Sequence, residues 1–246
     1  MDNMMYIAMS GAKQLMLAQA SNSNNLANAS TPGFRADLAA FKSLPVYGPG
    51  FDSRAYTQAG GIGVDVTPGA VSTTGRELDV AINGPGLLAV QGPNGTEAYT
   101  RAGDLQITSE GLLQNGAGHP VLGDGGPITL PPYQKLEIGA DGTVSIQPLG
   151  QSPSTLAVVG RIKLVNPPKD QLMKGEDGLI HLKDGSSAPA DAAVHVVSGA
   201  LEGSNVKSVD AMVTMIELGR QYEMQVKLMK TAEENDADSA KLMSMG

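Results

Sequence analysis

The hydrophobic period of this chain changes twice along its length, and that change limits the folds open to it. Near the N-terminus Met5, Ala8, Met9, Ala12, Leu15, Met16, Ala20 and Leu26 recur at spacings of three and four. They lie on one broad stripe of a helix over residues 1 to about 30. Only Asp2 and Lys13 carry charge in this segment, and its other side bears Ser, Asn and Gln. Pro32 disfavours helical geometry at Thr31, so the helix should end near Asn28 to Ser30. At the other end Met212, Met215, Gly219, Tyr222, Val226 and Met229 form a heptad-like seam. That helix should run from 204 to 246, with Ser204 or Asn205 as its cap. Gly11 and Gly219 each cost about 1 kcal/mol relative to Ala in a helix. Their evident use is to let another helix come close.

Between these segments the pattern is that of short strands. Residues 37 to 79, punctuated by Pro45, Gly48, Pro49, Gly50, Gly60, Gly61, Gly63, Pro68 and Gly69, read as an irregular or extended connector, with room for a strand at 63–67. Residues 80 to 198 read as all-β. The runs 87–91 and 97–101 flank Pro93-Asn94-Gly95 and should form a hairpin. Further strands are expected at 105–108, 128–130, 135–138, 143–147, 156–165, 179–182 and 194–198, with Asn-Gly or Asp-Gly turns at Asn83, Asn115, Asp141, Asp177 and Asp184. The expected class is α+β: N- and C-terminal helices form a stalk around an inserted all-β domain, a barrel or sandwich. The expected divisions are 1–36 (helix and exit turn), 37–79 (connector), 80–198 (β-domain) and 199–246 (C-terminal helix).

Composition removes several classes of function. With no Cys there is no disulfide framework, thiol nucleophile or Cys-based zinc site. A net charge of -8 and an aromatic share of 4% argue against nucleic acid as a partner. No stretch is apolar and long enough to span a bilayer, and the opening residues do not read as a cleavable signal peptide. His119, His181 and His195 are isolated, and no phosphate loop, dinucleotide fingerprint or nucleophile elbow is present. Glu77 and Asp79, beside Arg76, could in principle supply a carboxylate pair for glycoside chemistry; a local salt bridge is the favoured reading. No catalytic residue, metal or cofactor is expected.

One run is long and specific: Asn24 to Arg35, Asn-Asn-Leu-Ala-Asn-Ala-Ser-Thr-Pro-Gly-Phe-Arg. It resembles the signature of the flagellar axial proteins, the rod and hook subunits. The segments Thr74 to Gly86, Tyr99 to Gly103 and Leu201 to Val206 are similar to further blocks of that family. After the first of these, Leu87 and Leu88 stand where the family usually has two aromatics. Length, the single modest β-domain and the opening Met5 to Ala12 point to a proximal-rod member, with a distal-rod member as the alternative.

The resemblance implies a structural subunit that assembles helically into a hollow shaft and carries motor torque. Its implied partners are further copies of itself, other flagellar rod proteins and the export apparatus. Its implied place is the basal body, in the rod crossing the periplasm, reached by type III export without a cleaved signal peptide. The residues implied in assembly are Met5, Ala8, Ala12, Leu15, Asn24, Asn25, Leu26, Asn28, Pro32, Gly33, Phe34, Asn205, Val206, Met212, Met215, Gly219, Tyr222, Val226 and Met229. The Asn block 22–28 should hydrogen-bond between packed helices or to the following turn, Phe34 should anchor the exit from the helix, and Gly33 should supply a positive φ. A periplasmic carbohydrate-acting enzyme and a capping chaperone remain the readings from other classes.

Overall fold

The computed structural model describes residues 4–45, 55–150 and 156–244. Helix α1 (Met4–Ala27) is followed by β1 (Asp37–Pro45), β2 (Ala55–Val64), β3 (Val71–Thr73), β4 (Val80–Asn83), β5 (Leu87–Gln91), β6 (Glu97–Thr100), β7 (Leu105–Ile107), β8 (Leu113–Asn115) and β9 (Leu122–Gly123). Then come β10 (Gly126–Pro127), β11 (Tyr133–Ile138), β12 (Thr143–Pro148), β13 (Ala157–Arg161), β14 (Leu164–Val165), β15 (Leu172–Lys174), β16 (Ile180–Leu182), β17 (His195–Ser198), β18 (Ala200–Glu202) and α2 (Ser208–Ser244). The class is α+β, with terminal helices and a β-rich middle of antiparallel sheets. The chain divides into two compact units. One comprises Met1–Ala27, Asp37–Ile62 and Lys207–Gly246; the other comprises Asn28–Ala36 and Gly63–Val206.

The second unit is the β-body. Its largest sheet has the order β14-β5-β6-β16-β15, with Leu88 opposite Thr100 and Val90 opposite Ala98 in the β5–β6 hairpin. Strand side chains alternate between faces, and both faces of β5 are covered. Leu88 and Val90 enter the main core with Val80, Ile82, Leu136, Val144, Ile146 and Val196. Leu87 and Ala89 enter a second core with Tyr99, Leu172, Ile180 and Leu182. Leu87 and Leu88 therefore serve opposite cores. The three-stranded sheet β11-β12-β13 and the pairs β17-β4, β18-β3, β7-β8 and β9-β10 complete this unit.

Two strand expectations need correction. Residues 128–130 are extended but do not form a strand: Ile128 N donates to Val121 O and Leu130 N to Gly111 O, two different partners. Pro127, Pro131 and Pro132 bracket the run and lack the N–H a regular ladder requires. The expected single strand 156–165 is split, because β13 pairs with β12 whereas β14 pairs with β5. Ile162 N donates to Gly142 O and Lys163 N to Leu122 O as the chain passes from one sheet to the other.

In the first unit α1 and α2 pack together. Gly11 faces Gln225, Leu15 and Ala18 cluster with Leu218 and Tyr222, and Asn22 Nδ2 donates to Ala211 O at 2.7 Å. Residue numbers fall on α2 as they rise on α1, so the pair is antiparallel. The buried positions are Ala8, Ala12, Leu15 and Ala18 on α1, and Ala211, Leu218 and Ala232 on α2. Alanines on such a seam let helix axes approach to the near end of the usual range, about 8 Å. Asp210 in the first turn of α2 and Lys241 in its last complement the helix dipole. The segment expected to be irregular or extended holds a two-stranded sheet, β1 with β2.

Candidate functional site

Four separated stretches of sequence meet at one carboxylate. Glu202, in β18, is 1% exposed. Its Oε2 accepts from Arg101 Nη1 at 2.8 Å, and its Oε1 accepts from Arg35 Nη2 and from Gly69 N, the latter at 2.7 Å. Its backbone carbonyl accepts from Gly33 N at 2.7 Å. Arg101 is itself held by the loop after β4: Nε donates to Gly86 O at 2.7 Å and Nη2 to Gly84 O. Arg35 Nη1 donates to Phe34 O at 3.1 Å, but Arg35 Nε has no partner among the described residues.

The electrostatics follow from this geometry. Burial pushes the Arg35 guanidinium below the ordinary arginine value; Glu202 pulls it back up, and the neighbouring Arg101 pushes it down again. An isolated buried charge is costly, and a hydrogen-bonded ion group offsets that cost only while all its members remain. The cluster therefore acts as a lock: it ties the exit from α1, the β2–β3 connection, the β4–β5 loop, the end of β6 and the approach to α2 to one another only when all five are in place.

Asn205 completes the lock. Its Oδ1 accepts from Ala36 N at 2.8 Å, and its Nδ2 donates to Asp65 O at 2.8 Å and Thr67 O at 3.2 Å. Asn205 N donates to Phe34 O at 3.3 Å, so the two ends of the β-body's chain leave it side by side. Asn205 is consequently not the cap of α2, which begins at Ser208 with Lys207 O accepting from Ala211 N. Its side chain already has three backbone partners outside the helix, which is why the cap expectation fails. Ser204 is not the cap either: its Oγ accepts from Val206 N, outside the helix. Gly33 has φ +66, and a Cβ there would lie 2.2 Å from the backbone of Arg101 and Ala102. Half-buried Phe34 lies under Lys174 Nζ, 4.0 Å from its ring centroid, and the same Nζ donates to Arg35 O at 3.0 Å. Pro32, Val206 and Asn28 are half-buried, and Asn28 Oδ1 accepts from Thr31 Oγ1 at 3.1 Å.

The helix residues fall into two groups. Ala8, Ala12 and Leu15 lie on the buried line, whereas Met5 is 38% exposed and Met9 and Met16 more so. Asn25 bonds Asp37 in both directions: Asn25 Nδ2 donates to Asp37 O at 3.0 Å, and Asp37 N donates to Asn25 Oδ1 at 2.9 Å. Leu26 is half-buried and Asn24 exposed. On α2 the buried line is Ala211, Leu218 and Ala232, seven and fourteen residues apart, with Met215, Tyr222 and Met229 half-buried beside it. Met212, Gly219 and Val226 sit one residue further round; Met212 is 50% exposed, and a Cβ on Gly219 would meet nothing within 4 Å.

Three family models match this chain: Flagella basal body rod protein over residues 5–35, Flagellar hook protein FlgE/F/G D1 domain over 81–146, and Flagellar basal body rod FlgEFG protein C-terminal over 197–242. The chain is 44% identical to the flagellar basal-body rod protein FlgF of Salmonella typhimurium, with 100% of each chain covered. It is 34% identical to FlgF of Caulobacter vibrioides, with 95% of each covered. It is 33% identical to the flagellar basal-body rod protein FlgG of Buchnera aphidicola, with 86% of this chain and 88% of that one covered. The chain belongs to the flagellar basal-body rod protein family. It is a structural subunit of the rod, not an enzyme.

As a rod protein it carries its family blocks where the lock needs them. Arg35, Gly84 and Gly86, Arg101 and Glu202 come one block at a time. Sequence reasoning named the blocks but not the charges that join them, and Arg35, Arg101 and Glu202 were absent from the expected assembly residues. A signal was available: two arginines and a glutamate all stand inside family blocks that flank or enter a β-rich region. Arg76 and Asp79 form the local ion pair expected of them, Nη1 to Oδ1 at 3.3 Å, with Thr74 Oγ1 donating to Asp79 Oδ2 at 2.7 Å.

Proposed function

We propose that this rod protein polymerises with further copies of itself and with other rod proteins into the helical, hollow proximal shaft that carries motor torque toward the distal rod and hook. The observation that carries the reading is the apolar surface left on the helix pair. Tyr6, Met9, Met16 and Leu17 on α1, and Val209, Met212, Val213, Ile216 and Met224 on α2, are each at least half exposed. Val209, Met212, Val213 and Ile216 recur at helical spacing and share one face of α2, and an exposed apolar face of this kind is a mark of protein–protein contact. A shaft grows through head-to-tail contacts, since a self-complementary contact closes as a dimer.

Within this reading Met5, Met212, Gly219 and Val226 face neighbouring subunits, while Ala8, Ala12, Leu15, Met215, Tyr222 and Met229 hold the helix pair. Asn24, Asn25, Leu26, Asn28, Pro32, Gly33, Phe34, Asn205 and Val206 set how the chain passes between helices and β-body. The chain's divisions would serve as an assembly helix (1–36), connector (37–79), outer β-domain (80–198) and second assembly helix (199–246). Delivery runs through the flagellar export apparatus to the part of the basal body that crosses the periplasm. Among the described residues no helix is long and apolar enough to cross a membrane.

Near-atomic imaging of purified basal bodies tests the proposal. The expected result is this chain in the proximal shaft with both helices along the inner wall. A chain lacking residues 1–30 should fail to join the rod and leave cells non-motile; motile cells carrying only the truncated chain would sink the proposal.

A further inference from the structure

We propose that Met9, Met16 and Met212 form a site of reversible sulfur oxidation, and that their conversion to sulfoxides keeps an oxidised chain out of the rod. This rests on the assembly reading above and adds to it a chemical control on which chains can pack. Nine of the twelve methionines stand in α1 or α2, which hold 24 and 37 of the 246 residues. The β-body has one, Met173, and among the described residues neither of its cores contains a methionine.

Met9 and Met16 lie two turns apart on α1 and so share a face, with Met5 on the same stripe. Met9 is 54% exposed and Met16 60%. Met212 is 50% exposed and belongs to the apolar face of α2 that holds Val209 and Ile216. Met215 and Met229, by contrast, are half-buried beside the helix seam. An unbranched thioether adapts its shape to the surface it meets, which suits a packing face. It is also the group that an oxidant attacks first here, because the chain has neither Cys nor Trp.

The co-reactant is hydrogen peroxide. A lone pair on the sulfur attacks one peroxide oxygen, and the S–O bond forms as the O–O bond breaks. The attacked oxygen passes its proton to the departing hydroxide, which leaves as water. Sulfur is oxidised by two electrons and the peroxide reduced by two. The product is a polar sulfoxide, and enzymatic reduction restores the thioether. On the free chain these sulfoxides face water, so the fold is little affected. In a packed array they must leave water for an apolar contact, and burying a polar group without a hydrogen-bond partner is unfavourable. Oxidation therefore acts on packing and spares the fold.

The site is tested on the full chain, treated with hydrogen peroxide, quenched with catalase and mapped by peptide mass. Met9, Met16 and Met212 should each gain one oxygen about threefold faster, or more, than Met215 and Met229. Methionine sulfoxide reductase should remove that oxygen, and the urea midpoint of the β-body should not move. Equal rates at all five positions, or a lowered midpoint, overturn the site.

The control on packing is tested in cells with a chain carrying Met9→Gln, Met16→Gln and Met212→Gln, whose amides stand for sulfoxides. A second chain carries Met9→Leu, Met16→Leu and Met212→Leu. The Leu chain should enter purified basal bodies about fivefold better, or more, than the Gln chain. Equal incorporation of the two overturns the control. In cells given a peroxide pulse, with Met173 as the reference, sulfoxide at the three positions should be enriched in the unassembled pool over the rods. An equal share in both also overturns it. Rods lacking the unsubstituted chain would sink the assembly reading and the control with it, while the peroxide map of the purified chain would still decide which thioethers react.

Discussion

The two compact units solve the problem of burial in opposite ways. The β-body closes on itself: β5 is covered on both faces, and Glu202 gathers two arginines and two backbone amides within it. The helix pair buries a thin line of small residues and leaves methionines, leucine, valines and isoleucine in solvent. A fold that buries both faces of its central strands in its own cores is largely specified internally. One that buries alanine and exposes methionine is specified only in part, and its remainder awaits other surfaces.

The largest effect that would break this contrast lies in the lock. Glu202→Ala should destabilise the β-body by about 3–5 kcal/mol, because two buried guanidinium groups lose their counter-ion. Urea unfolding measures it; a cost under about 1 kcal/mol would show that the lock is ornamental. Gly33→Ala comes next, at roughly 2–4 kcal/mol, since the new Cβ meets both a positive φ and the backbone 2.2 Å away. The same titration should place its midpoint well below that of a control Gly178→Ala, whose Cβ would meet no atom within 4 Å.

A third test moves to the helices. Leu218→Ala removes one of the few large side chains on their seam and should cost about 2 kcal/mol, read as earlier loss of the helical far-ultraviolet signal on heating.

The pH dependence sharpens the picture of the second core. Burial pushes the Tyr99 phenol up to about 12 from its ordinary 10, the bond it donates to Glu97 adds to the rise, and the amide of Ala188 opposes it. The folded chain then holds a proton that the unfolded chain releases. Stabilisation from this group is whole below pH 10 and is lost as pH climbs toward 12, by roughly 2 kcal/mol. The difference between this chain and a Tyr99→Phe variant across that window isolates the effect; parallel curves would refute it.

The smallest effect on stability should carry the largest on assembly. Met16→Ser and Ile216→Ser, at positions 60% and 58% exposed, should shift the unfolding free energy by less than about 0.5 kcal/mol. The same changes should cut incorporation into rods. Normal incorporation would mean that the uncovered helix faces are not the packing surface.

Much of this was open to reading in one dimension. The spacing of Ala8, Ala12 and Leu15 announces a helix, Asp141-Gly142 and Asp177-Gly178 announce hairpins, and Pro32-Gly33 announces the end of α1, because each rests on forces acting within a few residues. The β14 pairing did not show, since nothing in the run 156–165 states that Leu164 must lie opposite Leu88 while Val158 lies opposite Ser145. Nor did the role of Asn205, whose side chain fits a helix cap locally and is claimed by Ala36, Asp65 and Thr67 from far along the chain.

By itself, then, the sequence determined the family, the α+β class and the positions of most turns, for these are written in local propensity and in long specific motifs. Only the tertiary structure decided which half of each apolar stripe is covered. A helix with hydrophobic residues over more than one face offers several equivalent seams, and the choice falls to whichever neighbour packs closest, here through alanine and Gly11. Tertiary structure alone also brought Arg35, Arg101 and Glu202 together. The pairing energy of buried charges exists only once water has been excluded from all three, and no local pattern in the chain can state that condition.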